Sequence, residues 1–137
     1  MAKKLRANGG QAIIEFAFVL PLLCIIVLGI IEFGVLFYDK AVITNASREG
    51  ARAGIVYRDP DGDGFYNAHP TTDITNAVDN YLNGRLITFG ATGPSWTTQV
   101  LANEAISPGG RVDVQVTYTH RYLVLPNFLG LGNTINI

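Results

Sequence analysis

The sequence predicts an α+β protein: a long N-terminal hydrophobic α-helix followed by a small α+β C-terminal head with an antiparallel sheet. Three observations carry that reading. An apolar run from Phe16 to Tyr38 stands ahead of a much more polar remainder, a short amphipathic pattern follows at residues 73–84, and a clean alternation of Val112, Val114, Val116 and Tyr118 comes late in the chain. At 137 residues there is room for one membrane segment and one small core, and not for a second.

Residues 1–10 read as a basic leader, carrying Lys3, Lys4 and Arg6 and closing on Gly9-Gly10, a pair that disfavours helix. The helix is expected from residue 11 to 56, with a transmembrane segment at 16–38. About 23 residues at roughly 1.5 Å each span about 35 Å, enough to cross a hydrocarbon core with some tilt. Pro21 removes a backbone donor and should kink or loosen the helix locally. A secretory h-region is the rival reading, but such regions run to about 7–15 residues, and this one is longer and contains Glu32. Glu32, about 25 Å along the axis from Glu15, is expected near the outer leaflet.

Beyond Asp39 the helix becomes more polar, and Ala46, Gly50 and Gly54 recur every four residues, a face on which another backbone can come close. Glu49 and Arg52 stand three apart and can pair on the surface. Arg58 to Gly64 breaks the helix and opens the head, residues 57–137. Within it, Asp73 to Gly84 reads as a helix with an N-cap aspartate and a terminating glycine. Arg85–Phe89, Thr97–Ala102, Arg111–His120 and Thr134–Ile137 read as strands, with Pro108-Gly109-Gly110 supplying a turn.

Composition narrows the function classes. A net charge of −1 provides no basic field for nucleic acid. The single cysteine, Cys24, allows no internal disulfide and reads as a small buried hydrophobe. His69 and His120 are far apart and read as surface or sheet-edge residues, and neither zinc spacing nor a phosphate-cradling loop occurs, so no enzyme is expected. Because the three ionisable residues among the first ten are basic, the N-terminus is expected in the cytoplasm and the head across the membrane.

One motif points to a metal. Asp59, Asp61 and Asp63 followed by Gly64 reproduce the first half of an EF-hand loop, and Phe65 can offer its carbonyl. Position 12 of that loop is Pro70, which has no side-chain oxygen, so Asp73 would have to complete a calcium site. A polar turn of Asp and Gly that needs no metal is the competing reading.

The segment Gly10-Gln11-Ala12-Ile13-Ile14-Glu15-Phe16 resembles the class III signal of type IVb pilins. With Leu20-Pro21-Leu22-Leu23, Ile31-Glu32-Phe33-Gly34 and Asn45 to Arg52 following in order, the chain is similar to TadE-like minor pseudopilins of Tad/Flp pili over about residues 9–54. That resemblance implies a structural subunit of a homo- or hetero-oligomeric filament. It further implies a prepilin peptidase cutting between Gly10 and Gln11, and partners among other pilins, pseudopilins and the Tad assembly platform. The expected location is the bacterial cytoplasmic membrane, or an adhesive pilus at the cell surface. Glu15, fifth after the cut, would pair with the new amine of Gln11. Loss of three of the ten basic side chains would leave seven against eleven acidic ones, a net −4. Two alternatives stand beside this one: a single-pass anchor that binds calcium or a partner without polymerising, and a major filament subunit.

Overall fold

A computed structural model of the chain describes residues 8–56, 71–89, 92–103, 110–123 and 134–137. The apolar run and the segment after it form one continuous helix, α1, over Asn8–Ile55. It starts before Gly9-Gly10, not at Gln11, and passes through Pro21 without a break in the assigned helix. Its first half is exposed, including Phe16, Phe18, Leu22 and Ile30. Cys24 is on this exposed surface and not in a core, because none of the described residues of the head covers that part of the helix.

The second helix, α2, covers Thr71–Leu82 and buries Ile74, Val78 and Leu82, an i, i+4, i+8 stripe. Gly84 ends it with φ +72°, a left-handed conformation that a side chain would strain. Strands β1 (Trp96–Asn103), β2 (Val112–Arg121) and β3 (Thr134–Asn136) form an antiparallel sheet in the order β1-β2-β3. The register of β1 on β2 shifts between Val100 and Ala102, and Leu101 at that irregularity is exposed.

Arg85–Phe89 is not a strand. The peptide groups of Ile87 bond to side chains instead: its N–H donates to Asp39 Oδ1 (3.0 Å) and its carbonyl accepts from the Tyr118 hydroxyl (3.3 Å). Both bonds tie the segment to the core.

Val42, Ile43 and Ala46 of α1, Val78 and Leu82 of α2, and Val116 and Tyr118 of β2 form the core cluster. Side-chain alternation along β2 sends Val116, Tyr118 and His120 inward and Gln115, Thr119 and Arg121 outward. β2 lies antiparallel along α1. Gly54 faces Val112, Gly50 faces Val114, Asp39 meets His120, and Glu32 meets Leu123 just past the strand. Four helix residues rise about 6 Å and two strand residues about 6.7 Å, so the two elements stay in step over this length.

Candidate anchoring and assembly site

Two carboxylates seven residues apart on α1 hold the head. Glu32 is 3% exposed, and its Oε1 accepts the backbone N–H of Leu123, with Leu28, Ile31 and Phe89 around it. The sequence places Glu32 near a membrane surface but gives no sign that the chain's own head covers it. Nothing in local periodicity reports a contact 91 residues distant.

Asp39 is fully buried, and besides the Ile87 N–H its Oδ2 lies 3.0 Å from His120 Nδ1. A carboxylate accepts, so Nδ1–H donates. His120 is neither a surface nor a sheet-edge residue. It is fully buried on the central strand, between Tyr118 and Tyr122 with ring centroids 6.1 and 5.5 Å away, and its Nε2 has no hydrogen-bond partner among the described residues. Burial raises the Tyr118 hydroxyl above its ordinary pKa; a hydrogen bond with Thr88 opposes this and the nearby Asp39 charge adds to it. The signal for His120 was present in the sequence, since it continues the inward alternation two residues beyond Tyr118.

The Ala46, Gly50 and Gly54 face lies against the head of the same chain. A Cβ on Gly50 would fall 2.6 Å from Val78 Cγ2, and one on Gly54 would fall 2.8 Å from Val112 Cγ1. These glycines therefore allow α2 and β2 to approach α1.

At the far end, Arg52 donates twice to Glu49, Nε to Oε2 at 3.1 Å and Nη2 to Oε1 at 3.0 Å. That bond lowers the pKa of Glu49 and raises that of Arg52, but both are solvent-exposed and such a pair adds little stability. The pair borders an open cleft of about 390 Å³ whose other wall includes Asp73, Asn76 and Asn80 of α2. Asp59, Asp61, Asp63 and Phe65 lie outside the described residues; Asp73 occupies the first turn of α2. Among the described residues no three His, Cys, Asp or Glu side chains come together as a metal group.

Gly10, Gln11 and Glu15 all lie on the exposed N-terminal part of α1, where Gly10 has open space around it. From Gly10 to Ile55 the helix is long and apolar enough to cross a membrane, with a mean hydropathy of 2.8 in its most apolar window and none of that window buried. It is a candidate membrane anchor. No curated protein and no solved structure matches the chain. Residues 10–52, which run from the exposed apolar half of α1 through both head-holding carboxylates to the Glu49–Arg52 pair, match the family model of TadE-like protein, and α1 is thus a TadE-like helix.

Proposed function

We propose that the chain is a structural subunit associated with a Tad-type pilus. In this reading it is a minor pseudopilin, processed after Gly10, held in the cytoplasmic membrane by α1 with its head outside, and drawn into a filament beside other pilins. The observation that carries the reading is the coincidence of the TadE-like match with a helix whose first half is exposed and apolar and whose second half carries the head. A TadE-like helix supports a structural role over an enzymatic one. The same coincidence supports residues 11–56 as the anchoring and assembly unit and residues 57–137 as the head.

Glu15 supplies the chemistry. A carboxylate within an apolar segment is costly unless it is paired, protonated or at the interface, and the Gln11 amine created by cleavage would be a cationic partner four residues away or on a neighbouring subunit. The mature mass should correspond to a chain beginning at Gln11, and Glu15→Ala should insert and be cleaved normally but fail to enter filaments. A mature chain that retains Met1 would favour the non-polymerising anchor, and normal assembly of Glu15→Ala would remove the pairing role. Abundance in sheared pili would indicate a major subunit.

Calcium binding by Asp59, Asp61, Asp63, Phe65 and Asp73 belongs to the same proposal, supported by the half EF-hand motif. Millimolar calcium should raise the melting temperature of the chelator-treated protein. An unchanged melt would leave the segment as a polar turn.

A further inference from the structure

The fold gives the membrane a different upper limit from the one hydropathy suggests. If the bilayer covered residues 16–38, Glu32 would lie about 9 Å inside the hydrocarbon. Leu123 and Phe89, which meet the helix at that level, would be submerged with it. Both residues bring non-helical backbone to that level, and its polar groups are ones lipid cannot satisfy. The head therefore sets a floor.

From Gly10 to Ile31 is about 22 residues, or about 33 Å at roughly 1.5 Å each, close to a hydrocarbon core of about 30 Å. Just above Glu32 on α1, Phe33, Phe37 and Tyr38 are exposed at 51%, 66% and 47%, left uncovered by the described residues of the head. Their backbones lie roughly 2, 8 and 9 Å above Glu32, near a headgroup layer about 5–7 Å deep, where aromatic rings concentrate. Leu123 is half-exposed at the base of the head, and Arg121, exposed two strand residues above it, brings a cation to the level of lipid phosphates.

We infer that the base of the head rests in the outer-leaflet headgroup layer, with Glu32 marking the hydrocarbon boundary and Phe33, Phe37, Tyr38 and Leu123 forming an interfacial collar around it. This rests on the reading of α1 as a membrane span. The occupant of the collar is lipid, because these side chains continue directly from the exposed apolar surface below them.

The test uses the full chain in phosphatidylcholine–phosphatidylglycerol vesicles, with Cys24→Ser as background and single nitroxide labels at Leu23→Cys, Phe37→Cys, Leu123→Cys and Asn45→Cys. Trp96 fluorescence confirms that each variant is folded. Collision with oxygen against a water-soluble nickel complex should place Leu23 near the bilayer centre, Phe37 and Leu123 at headgroup depth and Asn45 in water. A Phe37 label as deep as Leu23, or a Leu123 label as water-exposed as Asn45, would overturn the inference while leaving the span intact. Exclusion of both reagents at Phe37 would also overturn it, since a second copy would then cover the collar. A Leu23 label in water would remove the span itself, and the collar with it.

Discussion

Asp39→Ala is expected to destabilise the head by about 3–5 kcal/mol, the range for removing one member of a buried, hydrogen-bonded pair. Alanine leaves two donors without an acceptor, the part-buried Ile87 N–H and the fully buried His120 Nδ1–H. Each stranded donor costs about 1–3 kcal/mol, and water cannot reach a side chain at 0% exposure without local opening. Asp39→Asn keeps one acceptor oxygen and should lose roughly half as much. Urea unfolding in detergent, followed by the single tryptophan, reads the difference, because Trp96 packs against the core and donates from Nε1 to Asp79 Oδ1 at 2.7 Å. An alanine variant within about 1 kcal/mol of the parent would show that the pair does not hold the head to the helix.

Gly50→Ala is expected to lose about 1–2 kcal/mol net, although alanine is better than glycine in a helix by about 1 kcal/mol. The added Cβ would fall 2.6 Å from Val78 Cγ2 and 3.3 Å from Val114 Cγ1. Val78 is fully buried and β-branched, so it cannot swing clear at low cost. Overpacking of this kind typically costs about 1–3 kcal/mol and outweighs the propensity gain, and Gly50→Val should reach about 3 kcal/mol or more. Gly34→Ala is the control, since a Cβ there meets nothing within 4 Å. The same urea titration should separate the two alanines in sign, and equal stabilisation by both would mean that the helices are not in close contact at Gly50.

The elements that periodicity can report were legible in the sequence. A helix from residue 11 to 56 became Asn8–Ile55, the amphipathic helix became Thr71–Leu82, and the valine alternation became the central strand. The TadE-like resemblance over the helix was legible for a related reason, because its polar residues recur at fixed places in an apolar background. What local pattern could not report was pairing between distant segments. Arg85–Phe89 has strand-like composition, yet Asp39 and Tyr118 occupy the peptide groups of Ile87. Glu32 and Asp39 looked like polar landmarks on a rod, and only the return of β2 along that rod makes them attachment points. The proposed Glu15 pairing needs an amine that only cleavage creates, on its own chain or a neighbour, and the proposed aspartate loop needs an ion and lies mostly outside the described residues.

The lengthwise run of β2 on α1 has a mechanical consequence. A head tethered at one end of a helix would peel away contact by contact when the helix is pulled. Here the attachments at Gly54, Gly50, Asp39 and Glu32 are spread along the axis, so an axial load is shared among them as shear. A helix withdrawn from a bilayer would carry its head as a rigid passenger, with the strain distributed over the whole seam.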